Sequence, residues 1–304
     1  MFAFVFGWNN SGLTAGNLSN LINYKLALSL TLAGVFAGFA IAGRSMSSSI
    51  LGKLVSSALP MTAIFTALFV SVLMLLILTL LRLPVSLSNC TVGAFLGAAL
   101  ASNTQINFIF LLEIFGSWIA VPFVCALTSF IIYVAVARVE KSRSLVKVVR
   151  GNRIVLLLVV FFVSFTLGAN NLGLIDSFAS IATTVPLILV IFGIAIFGAA
   201  AVGMVLFGKM IAQVVGDKIV GLSQMKTLAA MLASAIVTTV LTVFSVPVSL
   251  TQVVIGGMLG AGISRRPSVT NTREIGILFV GWALVTVAST GLAFFLSLVL
   301  MRTI

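Results

Sequence analysis

Two asparagine pairs are the residues best placed to do chemistry in this chain. Gly7-Trp8-Asn9-Asn10-Ser11-Gly12-Leu13 and Gly168-Ala169-Asn170-Asn171-Leu172-Gly173-Leu174 repeat one spacing. A carboxamide carries one acceptor oxygen and two donor hydrogens, so a doubled Asn can hold an anion or a cation. Gly7 and Gly168 permit a break in the backbone beside each pair. A helix restarting after such a break would aim free N–H groups at an anion, and carbonyls freed on the other side would face a cation. A second doubled motif reads Pro84-Val85-Ser86-Leu87-Ser88-Asn89 and Pro247-Val248-Ser249-Leu250-Thr251-Gln252. Proline suits the first turn of a helix. Ser86, Ser88 and Asn89, with Ser249, Thr251 and Gln252, are therefore expected at the mouth of a short helix. Gly93 and Gly97, like Gly256, Gly257 and Gly260, would let that helix pack closely. Met with singly, Asn-Asn marks a helix end and Ser or Thr a cap. Recurrence in phase favours a shared binding site at a repeat interface.

The elements that must carry these residues follow from the repeat. Residues 84–100 and 247–263 are identical at eight of seventeen positions, at an offset of 163. The Asn pairs recur at 161, Gly43-Arg44 with Lys53 recurs as Gly208-Lys209 with Lys218 at 165, and Trp118 with Arg138 recurs as Trp282 with Arg302 at 164. The chain therefore divides into a repeat over 1–140, a basic linker over 141–151, and a second repeat over 152–304. Each repeat holds five apolar stretches: 1–8, 26–42, 58–81, 83–101 and 106–137, then 154–169, 181–207, 227–246, 247–263 and 275–301. At about 20 residues per crossing, the fold class is an all-α polytopic membrane protein with about 10 (±2) transmembrane segments. An odd number per half makes the repeats inverted, with broken or re-entrant helices at the Gly- and Pro-rich motifs.

Composition agrees. Of 304 residues, 61% are hydrophobic and 7% charged, with mean hydropathy +1.30, where soluble domains carry about a quarter charged residues. Seventeen Lys and Arg against five Asp and Glu give +12. In a membrane chain that excess is a topology signal, not a nucleic-acid footprint, and no nucleic-acid partner is expected. Six of the basic residues fall between Arg138 and Arg153 with a single acid, Glu140, which places the linker on the cytoplasmic side and both termini outside. The bilayer is then the obligatory partner, in the cytoplasmic (plasma) membrane, and the linker attracts anionic headgroups. With no His, and with Cys90 and Cys125 in apolar stretches, no metal site, disulfide framework or cofactor is expected, and acid–base catalysis lacks its usual groups. The chain does not read as an enzyme. Met1–Phe6 lacks the basic leader of a signal peptide.

The Gly-x-Asn pairs, the two Pro-Val-Ser motifs with trailing glycines, and the stretch 208–219, GKMIAQVVGDKI, together resemble the inorganic phosphate transporter family, which also contains bacterial sulfate permeases. The resemblance covers both halves. It implies a two-fold inverted repeat and transport of a tetrahedral oxyanion coupled to Na⁺ or H⁺. The family pattern is Gly-Ala-Asn-Asp, its aspartate implicated in cation and substrate binding; here Asn10 and Asn171 stand at those places. The family's Pro-Val-Ser-Thr-Thr-His also departs, to Ser-Asn and Thr-Gln endings. Losing two buried carboxylates makes the site less negative, which favours a dianion, weakens a Na⁺ site and removes the obvious proton carriers.

Two acids remain as candidates for a coupling proton. Glu113 lies inside an apolar stretch, and Asp176 follows the second Asn pair by five residues; an ionisable residue within a span points to function. Glu140, Asp217 and Glu274 each neighbour a basic residue and read as interfacial. Arg44 and Lys209 occupy equivalent places, where snorkelling is the ordinary role. The leading expectation is a secondary transporter of inorganic phosphate or another tetrahedral oxyanion, using Asn9, Asn10, Asn170, Asn171 and the Pro-Val-Ser polar groups. A sulfate permease and an uncoupled anion channel are the rivals, and a homodimer is compatible with this size.

Overall fold

The computed structural model describes residues 1–14, 23–44, 46, 53–55, 59–81, 86–140, 145–218, 223–263 and 272–303. In the first half, α1 (Phe2–Thr14) is followed by α2 (Tyr24–Gly38), which runs on through a π-helical turn, Phe39–Gly43. Then come α3 (Met61–Leu80), α4 (Leu87–Ala101) and α5 (Phe108–Glu140). In the second half, α6 (Leu145–Leu167) passes through a π-helical turn, Gly168–Leu172, into α7 (Gly173–Ala182). It continues with α8 (Pro186–Lys218), α9 (Gln224–Val243), α10 (Leu250–Ile263) and α11 (Thr272–Thr303). With α6 and α7 counted as one rod, both halves keep the expected five-element order.

Seven of these rods are long and apolar enough to cross a membrane. The helices α4 and α10, of 15 and 14 residues, rise only about 20 Å at 1.5 Å per residue, short of the roughly 30 Å of hydrocarbon. They are the re-entrant class of element, and α1, at 13 residues, is equally short. The linker is not a separate segment over its whole length, because α6 begins at Leu145 and carries Arg150 and Arg153 on the same helix as the apolar span.

The halves do not sit side by side. Helix α1 lies along α8 and α2 along α6; α4 lies along α11 and α10 along α5. Each pairing joins the two halves, and each has its mirror. Glycines enforce the closeness, since a Cβ on Gly7 would collide with the carbonyl oxygen of Ala200, and one on Gly168 with that of Val35. Likewise Gly97 abuts the carbonyl of Thr290 and Gly260 that of Ala126. Helices α1, α2, α6, α7 and α8 form one bundle; α3, α4 and α11 pack as one triad and α5, α9 and α10 as its mirror, and these two triads, facing each other where the Phe123 and Phe279 rings lie 6.2 Å apart, are together called the second bundle. The bundles meet where α9 touches α6 and α3 touches α1.

This packing corrects the expected backbone break at the Asn pairs. Helix α1 is continuous through Gly7 to Thr14, and Gly168 opens a π turn without interrupting the rod. Both glycines are explained by the carbonyls pressed against them, not by an unwound segment.

Candidate functional site

The Asn pairs belong to the first bundle and the Pro-Val-Ser motifs to the second, so any site that uses both lies at the seam between them. All four asparagines are buried, Asn10 and Asn171 each at 2% exposure. The first member of each pair bridges the seam. Asn9 Nδ2 donates to Thr79 Oγ1 at 2.9 Å, and Asn170 Nδ2 donates to Thr242 Oγ1 at 3.0 Å. Each threonine in turn donates to a carbonyl one turn back on its own helix, Leu75 for Thr79 and Thr238 for Thr242. Asn170 goes further, donating to the Val246 carbonyl at 3.1 Å and accepting from the Val248 N–H at 3.0 Å. It therefore fixes the extended segment that leads into α10.

The second members are differently used. Among the described residues Asn10 Nδ2 reaches only the Phe6 carbonyl of its own helix, at 3.2 Å. Asn171 Nδ2 is buried with no hydrogen-bond partner among the described residues. These are the positions at which a ligand could take up amide capacity that the fold leaves unspent.

The Pro-Val-Ser motifs open α4 and α10 through their serines, not their prolines. Ser86 is the N-cap of α4, its hydroxyl accepting from the Asn89 N–H at 3.2 Å. Ser249 does the same for α10, accepting from the Gln252 N–H at 3.3 Å. Pro247 precedes the cap, outside the helix, which corrects the expectation of a first-turn proline; Pro84 lies outside the described residues. A serine side chain satisfies an otherwise free N–H, which a proline cannot do, and so it fixes where the helix starts. Ser86 and Ser88 share a 2.8 Å hydrogen bond. Ser88, Thr251, Asn89 and Gln252 are all buried. Helix α10 of the second bundle also touches α1 of the first, the helix that carries the first-half Asn pair, and its leading segment is tied to Asn170.

Beyond the caps, the last polar residue of each motif lines a cavity of about 510 Å³ between α4, α5, α10 and α11. Asn89 and Gln252 lie there with Trp118 and Trp282, Phe115 and Phe279, and Thr286. All but Thr286 pair off across the repeat, so both halves contribute equivalent residues to the cavity. Asn89 Nδ2 donates to the Trp282 carbonyl at 3.1 Å, and Trp118 Nε1 donates to the Pro247 carbonyl at 2.9 Å.

The two candidate acids are not brought to this cluster. Glu113 is exposed on the outer side of α5, beside the exposed Leu112. Asp176, 4% exposed on α7, lines a separate cavity of about 340 Å³ with Arg44, Phe39 and Phe197. Thr79 and Thr242 were not picked out from sequence. Each stands five residues before a motif proline, at the same offset of 163, which is the signal that could have found them. Among the described residues no group of three His, Cys, Asp or Glu side chains could hold a metal ion.

Comparison with known proteins matches this arrangement at several levels. A protein of Methanocaldococcus jannaschii named as a phosphate permease is 26% identical over 296 residues, covering 97% of this chain and 93% of its own. The sulfate permease CysP of Bacillus subtilis is 28% identical over 284 residues, covering 89% of this chain and 76% of its own. A solved structure, the sodium-dependent phosphate transporter, superposes with a TM-score of 0.83 at 20% identity, over 100% of this chain and 97% of that one, and so shares its fold. The phosphate transporter family matches twice, over residues 16–150 and 144–293, once for each repeat. By that double match across both halves, the chain belongs to the phosphate transporter family, a family of membrane transporters and not of enzymes.

Proposed function

We propose that the chain is a secondary transporter that carries inorganic phosphate, or another tetrahedral oxyanion, across the cytoplasmic membrane. The observation that supports this reading is that each bundle carries a repeat-related set of buried polar groups, and that Asn9 and Asn170 tie the two bundles together. Asn10 and Asn171 are buried in the first bundle next to the seam-bridging Asn9 and Asn170; Ser86, Ser88, Ser249 and Thr251 are buried at the starts of α4 and α10 in the second, with Asn89 and Gln252 beside them on the cavity between α4, α5, α10 and α11. The N-termini of α4 and α10 add positive potential, since their first N–H groups lack helical partners beyond the serine caps. An oxyanion held there would be bound by both bundles, and rocking one against the other would expose it to alternate sides. Asn9 and Asn170 serve as positioning residues that keep the two surfaces in register.

Na⁺ is the proposed coupling ion, supported by the fold shared with a sodium-dependent transporter, and the basic linker is placed on the cytoplasmic side by the positive-inside rule. Sulfate is the second reading. Amides at 10 and 171 supply no negative charge to repel a permanent dianion, and a sulfate permease stands among the relatives. Uptake of radiolabelled phosphate and sulfate into proteoliposomes, each with and without Na⁺ and pH gradients, tests both. Saturable, gradient-driven accumulation of either anion is expected. A conductance that fails to saturate and cannot be driven uphill would replace the carrier by a channel.

Asn10→Ala and Asn171→Ala are each expected to reduce uptake at least tenfold while membrane insertion is retained. Normal transport by both variants would remove the asparagines from the site.

A further inference from the structure

We infer that the cavity between α5 and α11 is a binding site for an uncharged amphiphile, an aromatic ring bearing a hydroxyl, which enters from the bilayer. Its walls are the rings of Phe115, Trp118, Phe123, Phe279 and Trp282. Its outer lip is Ile119, Phe123 and Val287, exposed at 71%, 64% and 69% on helices that span the hydrocarbon. A volume of about 510 Å³ is within the range of small-molecule sites.

Three polar atoms of its lining residues are buried without a hydrogen-bond partner among the described residues: Asn89 Oδ1, Gln252 Oε1 and Trp282 Nε1. Two accept and one donates, and hydrocarbon offers no water to satisfy them. A hydroxyl donates one hydrogen and accepts another, so it can satisfy one of the two amide oxygens and the indole N–H. Among the described residues no ionisable side chain lines the cavity, which favours an uncharged ligand. Trp118 Nε1 already bonds the Pro247 carbonyl, while Trp282 Nε1 has no partner among the described residues. Because Asn89 also joins α4 to α11 through the Trp282 carbonyl, an occupant wedges a motif helix against its neighbour and should slow transport. That inhibitory part rests on the proposed function; binding does not.

The probe is 4-bromophenol, a heavy-atom quencher, added to proteoliposomes of Trp8→Phe protein. Of the chain's three Trp residues, Trp118 and Trp282 then remain, both in the cavity wall. Saturable quenching is expected, together with a several-fold fall in phosphate and sulfate uptake at saturation. Ala283→Phe in the same background fills the cavity and should leave only the linear quenching of a bilayer-dissolved phenol, with uptake insensitive to the probe. Ile119→Phe, from the opposite wall, serves the same purpose should Ala283→Phe fail to insert. Linear quenching in the parent, or saturable quenching that survives both fillers, overturns the site. Saturable quenching with uptake unaffected overturns the inhibition alone. Saturable quenching with neither anion carried by any variant would uphold the site and sink the transport reading.

Discussion

Adjacent asparagines with the same side chain have opposite employment in this protein. Asn170 makes three hydrogen bonds across the bundle seam, whereas Asn171 Nδ2 makes none among the described residues. Replacing Asn170 with Ala strands the Val248 N–H and the Val246 carbonyl, at about 1 kcal/mol for each lost hydrogen bond. Asn170→Ala should therefore lower unfolding stability in detergent by about 2–4 kcal/mol. Asn171→Ala should leave stability within about 0.5 kcal/mol while abolishing uptake. Equal destabilisation by both would refute the division of labour. The pairs themselves were legible in the sequence because they recur in phase. Their separate roles were not, because the partner threonines are 70 and 72 residues away and only folding brings them into reach. The acids show the limit from the other side. Glu113 looked intramembrane by position, yet one helical turn decides whether a side chain faces a site or the outside, and here it faces out.

At the scale of the element, glycine spacing in the two Pro-Val-Ser helices was readable and its cause was correctly anticipated as close packing. At the Asn pairs, glycine was read as a break, and the same physical cause applies there instead. A glycine cannot report from sequence alone whether it frees its own backbone or makes room for a neighbour's. Gly260→Val is expected to drop the melting temperature by at least 5 °C, or to prevent recovery of folded protein, because Cβ would meet the Ala126 backbone. Overpacking of this kind costs about 1–3 kcal/mol. Gly291→Ala, on α11 with open space around it, should be neutral or slightly stabilising, since Ala favours the helix by about 1 kcal/mol. Thermal unfolding followed by size-exclusion chromatography separates the two. Element order was also legible, five and five. The shortness of α4 and α10 was less so, because apolar sequence continues past the serine caps that start them.

The whole molecule is where sequence and structure differ most in emphasis. From the sequence repeat a division of the chain at 141–151 is expected, but the packing divides it into bundles that each draw on both halves. Sequence similarity reports descent along the chain and says nothing of which surfaces are exchanged. Residues 1–140 and 152–304 expressed as separate polypeptides should each be degraded when produced alone, and should restore uptake when produced together. Stable accumulation of either one in the membrane would show that the reciprocal packing is not required. Orientation is tested by a single cysteine at Ser142 in a background with Cys90 and Cys125 replaced. Labelling by a membrane-impermeant maleimide is expected only from the cytoplasmic side, and labelling from outside would invert the topology.

The exchange of helices between halves also bears on how such a chain is made and how it arose. During synthesis α4 leaves the ribosome well before α11, so its glycine face waits for almost the whole protein before its partner emerges. An insertion chaperone or lipid must cover that face in the interval. Run backwards in time, a lone ancestral repeat would have faced the same unfinished surface, and a second copy of itself would have completed it. The fused gene then preserves, within one polypeptide, the interface of an older dimer.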